Sequence, residues 1–164
     1  MTDKPYKLLC LDFDGVIHSY VSGWKGADVI PDPPVPGALI FLYEALDKFR
    51  VAIFSTRSNE PGGIAAMKAW LERYAVGLID EGMFHDDPML CWLDQIEWPT
   101  EKPPAFVTLD DRAIQFTGTW PALDELLNFR PWFQRVETRV ETAMPEYRTK
   151  PWPSDHIPFD AERE

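Results

Sequence analysis

The feature that most limits how this chain can fold is an apolar run that stops at two carboxylates, Leu9-Cys10-Leu11-Asp12-Phe13-Asp14-Gly15-Val16-Ile17. Residues 7–11 lack the polar alternation of a half-exposed strand, so they read as a strand covered on both faces. Residues 51–54, 77–80 and 105–109 are short runs of the same kind. Between them the apolar positions change period. Ala38, Leu39, Phe41, Leu42, Ala45, Leu46 and Phe49 recur at helical spacing after Pro36-Gly37, and Ile64, Met67, Leu71 and Tyr74 do so after Pro61. A third, shorter helix is expected from Pro121 through Leu123, Leu126 and Leu127, stopping near Pro131. Strands alternating with amphipathic helices define βα units around a mainly parallel sheet, which is an α/β fold.

The chain has 164 residues and 45% hydrophobic content, enough for one sizeable core and too little for two ordinary domains. Residues 1–134 carry the α/β pattern. Within them, residues 18–37 hold Pro31, Pro33, Pro34 and Pro36 with Trp24, the composition of a rigid flap. Residues 135–164 are charged and then proline-rich, and are expected to form an irregular or partly disordered extension. The net charge of −11 provides no general basic field for a polyanion, so nucleic acid is disfavoured as a partner and small, metal-neutralised anions fit better. Cys10 and Cys91, without CxxC spacing, read as reduced and buried, and no signal peptide or membrane span is visible. A soluble, cytoplasmic protein is expected.

Four segments carry chemistry. At the end of the first strand, Asp12 and Asp14 point the same way by the strand's period of two, and Gly15 lets the backbone turn close to a ligand, so one carboxylate can attack while the other handles a proton. A calcium loop would need further acidic ligands that are missing here. At the end of residues 105–109, Asp110 and Asp111 form a second acidic pair. Two such pairs at equivalent strand ends repel unless a cation lies between them, and Mg²⁺ is the natural choice, although Asp110-Asp111 alone reads equally well as a helix cap. Ser55 and Thr56 end residues 51–54 as phosphate donors or as caps of the next helix, with Arg57 following. Lys102 precedes the last strand, where it either neutralises charge at the site or decorates the surface.

In this order the four segments resemble the motifs of the haloacid dehalogenase superfamily, and they span residues 7–112, roughly two-thirds of the chain. The resemblance implies a three-layer Rossmann-like domain and a magnesium-dependent phosphohydrolase that cleaves phosphomonoesters through an aspartyl-phosphate. It makes Asp12 the nucleophile and Asp14 the general acid and base. Mg²⁺ would be held by the Asp12 carboxylate, the Asp14 main-chain carbonyl, Asp110 and Asp111. Ser55 would hold phosphoryl oxygens, with Thr56 as the alternative, and Lys102 would stabilise the nucleophile and the phosphoryl charge. Gly15, Thr56 and Arg57 complete the substrate contacts. About 40 residues separate Asp14 from Ser55, which leaves no room for a full cap domain, so a minimal, essentially capless member is implied.

The remaining singled-out residues have plainer readings. His18 is expected to make an ordinary hydrogen bond in the flap, Lys68 to face solvent, and His85, Asp86 and Asp87 to form a solvated turn. Trp92, Trp98 and Trp120 read as core or rim, and Arg57 and Arg112 serve equally well as phosphate ligands or surface ion pairs. The substrate expected is a phosphorylated small molecule. A polynucleotide-end phosphatase, a phosphotransferase and a non-catalytic metal- or ligand-binding module of the same fold stay open as alternatives.

Overall fold

The first acidic motif hangs from the middle of a parallel sheet. β1 (Leu8–Leu11) pairs with β2 (Arg50–Ile53) on one side and β3 (Val107–Leu109) on the other, all parallel, in the order β2-β1-β3. The structure is a computed structural model that describes residues 7–80, 84 and 89–135. Leu11 lies level with Ile53 and with Leu109, so the three strands run out together. Consecutive residues Leu9, Cys10 and Leu11, and likewise Val51, Ala52 and Ile53, are buried, which requires cover on both faces of the sheet at these two strands. Burial of each Leu, Val or Ile here is worth about 1.5–3 kcal/mol.

Two helices supply most of that cover. α1 (Ala38–Leu46) buries Leu39, Ile40, Leu42 and Ala45, and its entry is set by Gly37 in a left-handed conformation. α2 (Gly63–Asp80) buries Met67, Trp70, Leu71, Tyr74, Ala75 and Leu78, a stripe at helical spacing. Trp70 packs edge-on against Phe13 and against His18, which joins this helix to the loop after β1. α3 (Leu123–Leu127) is short and exposed.

Three expectations need correction. Residues 77–80 end α2 instead of forming a strand, because Tyr74, Ala75 and Leu78 extend the buried stripe of Met67 and Leu71 without a break. An isolated four-residue apolar run fits either structure, and the continuing period decides it. The sheet therefore has three strands among the described residues. The last strand is also not covered on both faces: Phe106 is 62%, Val107 40% and Leu109 41% exposed. Cys91 is exposed, not buried, while Cys10 is buried on β1 as expected.

Residues 18–37 contain no helix or strand and form an irregular loop between the first acidic motif and α1, referred to below as the flap. Its two ends are fastened together by hydrogen bonds from Ser19 N–H to the Pro33 carbonyl, 3.0 Å, and from Val35 N–H to the Ile17 carbonyl, 2.8 Å. No described helix is long and apolar enough to cross a membrane. The solvated turn at His85, Asp86 and Asp87, and the extension beyond Arg135, lie outside the described residues.

Candidate active site

Parallel register brings the two acidic motifs together. The Asp12 N–H donates to the Leu109 carbonyl at 2.9 Å, carrying the β1–β3 ladder one residue past the strand, so Asp12 and Asp110 leave neighbouring strands at the same level. Carboxylate oxygens of Asp12, Asp110 and Asp111 all lie within 4.8 Å of one another. Among the described residues they form a set that could hold a metal ion.

Asp111 is the informative member. Its side chain is 0% exposed, yet neither carboxylate oxygen has a hydrogen-bond partner among the described residues. The nearest cation, Arg112 Nε, stands 3.6 Å from Oδ2, too far for a hydrogen bond. A buried carboxylate without partners is strongly disfavoured, and burial accordingly raises its pKa, with Asp110 adding to the rise and Arg112 opposing it. Asp12 is pushed up to about 7, first by burial and then by the charges of Asp110, Asp111 and Asp14, against the lowering effect of the Phe13 N–H that donates to Oδ1 at 2.7 Å. The site gathers negative charge, and among the described residues no cation is hydrogen-bonded to these three carboxylates.

Gly15 allows this crowding. Its φ is +86°, and a Cβ there would stand 2.6 Å from both Cγ and Oδ2 of Asp111. The turn is closed by the Phe13 carbonyl, which accepts the Ile17 and His18 N–H groups at 3.0 and 2.9 Å. Trp132, on the 3-10 turn Trp132–Gln134, donates from Nε1 to the Gly15 carbonyl at 2.6 Å and brings a late segment of the chain onto the site's rim.

Asp14 has a different environment. It is buried, and its carboxylate receives Arg57 Nε at 3.1 Å on Oδ1 and 2.9 Å on Oδ2, together with His18 Nδ1 at 2.8 Å. The Asp32 N–H donates to His18 Nε2 at 3.2 Å, so the ring proton belongs on Nδ1, where it points at Asp14. Asp14's carboxylate is not part of the close acidic set.

Arg57 differs most from the sequence reading. It is completely buried, not a surface ion pair, and its Nε and Nη1 donate to Asp14 and to the carbonyls of Gly26, Ala27 and Val29. Ser55 is also buried. It caps the 3-10 turn Thr56–Asn59, accepting from the Arg57 N–H at 3.4 Å, while Ser58 Oγ accepts the Ser55 N–H at 3.1 Å. The Ser55 hydroxyl hydrogen is not used in this cap, so it remains available to a ligand. Thr56 is exposed. Lys102 is exposed and makes no ion pair among the described residues, although its charge lowers the pKa of Cys10, which burial raises.

The plainer readings come out unevenly. Lys68 faces solvent, and Trp92 is core, whereas Trp120 is 84% exposed. Arg112 lies exposed on the rim, over the Tyr20 ring. His18 does make a hydrogen bond, but its partner is a motif carboxylate. The roles of His18, Arg57 and Trp132 in assembling the site were not legible beforehand: only the nearness of Arg57 to Ser55 hinted at one of them. No protein-family model matches the chain, and comparisons with curated proteins and with solved structures give no match.

Proposed function

We propose that this protein is a magnesium-dependent phosphohydrolase of the haloacid dehalogenase type, a three-layer Rossmann-like domain without a full cap, acting on phosphomonoesters of small molecules. One observation carries the reading: the buried, unpartnered carboxylate of Asp111 stands beside Asp12 and Asp110 at the ends of adjacent parallel strands. Such a set suits a hard, oxygen-binding divalent cation, and oxygen-only donors select Mg²⁺ over thiophilic metals. Asp12, Asp110 and Asp111 would hold the ion, with the Asp14 main-chain carbonyl as a fourth donor. When bound, the ion supplies positive charge that keeps these carboxylates ionised and neutralises phosphoryl oxygens.

The chain's own groups account for the remaining chemistry. Asp12 attacks phosphorus, forming an aspartyl-phosphate as the bond to the leaving alcohol breaks, and Asp14 gives that alcohol its proton. Asp14 then takes a proton from water, which attacks phosphorus, breaks the bond to Asp12 and releases inorganic phosphate. The free Ser55 hydroxyl donates to a phosphoryl oxygen, and Lys102 and the Arg112 side chain supply cationic charge at the rim. Gly15 keeps the backbone close enough for Asp111 to reach the acidic set.

The test is phosphate release from p-nitrophenyl phosphate and a panel of sugar phosphates, nucleotides and an oligonucleotide with a terminal phosphate, with and without Mg²⁺, for wild type and Asp12→Asn. Mg²⁺-dependent turnover lost in the variant supports the proposal. Retention of full Mg²⁺-dependent activity by Asp12→Asn refutes the assigned nucleophile. Mg²⁺ binding without turnover on any substrate would replace the proposal with a metal-stabilised binding module.

A further inference from the structure

The guanidinium of Arg57 joins parts of the molecule that the sequence keeps well apart. Its Nε donates to the Asp14 carboxylate at 2.9 Å, and its Nη1 donates to the carbonyls of Gly26, Ala27 and Val29 at 2.6, 2.9 and 3.3 Å. Its other contact is the indole of Trp24, whose ring centre lies 4.6 Å from Cζ. Trp24, Gly26, Ala27 and Val29 all belong to the flap, and Asp14 belongs to the acidic motif. The side chain is 0% exposed, and Nη2 is buried without a hydrogen-bond partner among the described residues.

A buried arginine has to be compensated for lost hydration, and here the compensation comes from two directions at once. Asp14 alone would balance the charge, and the flap carbonyls alone would satisfy donors. Only the planar fork of arginine, with Nε and Nη1 diverging, engages both, whereas a lysine has one nitrogen to offer. A second link runs in parallel: His18 holds Asp14 on one ring nitrogen and receives the Asp32 N–H on the other, and the Asp32 carboxylate in turn receives the Ser22 N–H and hydroxyl at 2.8 and 2.6 Å. Both routes end on Asp14. Without Arg57, the loop from Gly26 to Val29 loses all three of these carbonyl bonds together.

We propose that Arg57 is a positioning residue that couples Asp14 to the flap, so that the flap's seating and the aim of this carboxylate are set together. The part of the inference that concerns catalysis rests on the phosphohydrolase reading, in which Asp14 handles the proton. In a protein with no room for a large cap, the flap is the element able to shield the reaction from water, and Arg57 makes the seated flap a condition for a correctly aimed Asp14.

The flap has a built-in reporter. Lys25 is exposed and is the only lysine or arginine between Lys7 and Lys48, so trypsin cleavage after Lys25 measures flap release by itself. Native-state cleavage at Lys25 should speed up about 10-fold or more in Arg57→Ala, and several-fold in Asp14→Asn, where Arg57 is intact but its partner charge is gone. Should Arg57→Ala not fold, Asp14→Asn and Trp24→Ala, which removes the stacked indole, provide the same readout. With p-nitrophenyl phosphate and Mg²⁺, Arg57→Ala should lose about 10-fold in kcat with KM within about twofold, and Arg57→Lys should recover part of that loss.

Cleavage at Lys25 that is unchanged in both variants overturns the proposal. So does cleavage that responds to Arg57→Ala but not to Asp14→Asn, since Arg57 would then anchor the flap without coupling it to the site. A loss confined to KM likewise refutes the positioning role. Absence of turnover in wild type would instead refute the phosphohydrolase reading, and the Lys25 rates would still decide whether Asp14 and the flap are coupled.

Discussion

Replacing Asp12 with Asn should stabilise the metal-free protein, and the size of the gain follows from the site. Asp12 is displaced from its ordinary 3.8 to about 7, chiefly by burial and then by its acidic neighbours. Between those values the native state holds a proton that the unfolded chain has lost. Stability of the metal-free protein therefore falls as pH rises from about 4 to about 7, and levels off above that. A displacement of roughly 3 units corresponds to at most about 4 kcal/mol, and partial solvent access at Asp12 reduces the expected effect to about 2–3 kcal/mol. Asparagine keeps the acceptor for the Phe13 N–H, bonded at 2.7 Å, and removes the charge. Urea unfolding in EDTA should show Asp12→Asn more stable than wild type by that amount at pH 8 and by roughly a quarter of it at pH 4.5. Mg²⁺ should reverse the order at pH 8, since it stabilises only the chain that binds it, by about 4.1 kcal/mol at a thousand times its Kd. An advantage for Asp12→Asn that does not grow between pH 4.5 and pH 8 would show that Asp12 carries no such penalty, and the electrostatic account of the site would be wrong.

The same site makes other outcomes specific. Gly15→Ala puts a Cβ 2.6 Å from the Asp111 carboxylate at a φ of +86°, so Mg²⁺ affinity measured by calorimetry should fall at least about 10-fold and stability by about 1–3 kcal/mol. Unaltered Mg²⁺ affinity in that variant would count against Asp111 as a ligand. Because a proton on Asp12 competes with the ion, affinity for Mg²⁺ should climb as pH rises toward about 7 and flatten above it, and a flat profile from pH 5 to 8 would contradict the raised pKa. Ser55→Ala removes the acceptor for the Arg57 N–H, which should lower stability by about 1 kcal/mol in thermal unfolding. It should also reduce turnover through the lost hydroxyl donor, and full activity would leave Ser55 with a capping role alone.

What was legible in the sequence was what depends on nearest neighbours along the chain. Leu9 to Asp14 define a strand and its acidic end, and α1 follows from Leu39, Leu42 and Ala45 with Gly37 before them. The meeting of Asp12 with Asp110 and Asp111 was legible as two acidic pairs at equivalent strand ends, while the parallel register that brings them together came from the structure. The limit of α2 was not, since Gly77 to Asp80 carry apolar residues that suit a strand until Tyr74 and Leu78 are seen on one buried face. The exposure of β3 could not be read either. Val107 and Leu109 look like core residues, and nothing in their local pattern separates them from the buried Val51, Ala52 and Ile53 of β2, which is also an outer strand among the described residues.

The burial of Arg57, a residue named in the sequence only as a phosphate ligand or surface ion pair, was beyond reach for a more basic reason. An arginine after a Ser-Thr pair is expected at the surface, because burying it is unfavourable without several partners, and those partners here are backbone carbonyls that have no signature in the sequence. The flap looked like a proline-stiffened loop, and its composition gave no sign that it would be held to the acidic motif. Yet the two facts explain each other. A loop without helix or strand keeps carbonyls free to accept from a cation, and a buried carboxylate such as Asp14 is balanced by a cation beside it. One arginine meets both requirements only if it is buried between them, so the burial that made it unreadable is also what lets it join the flap to Asp14.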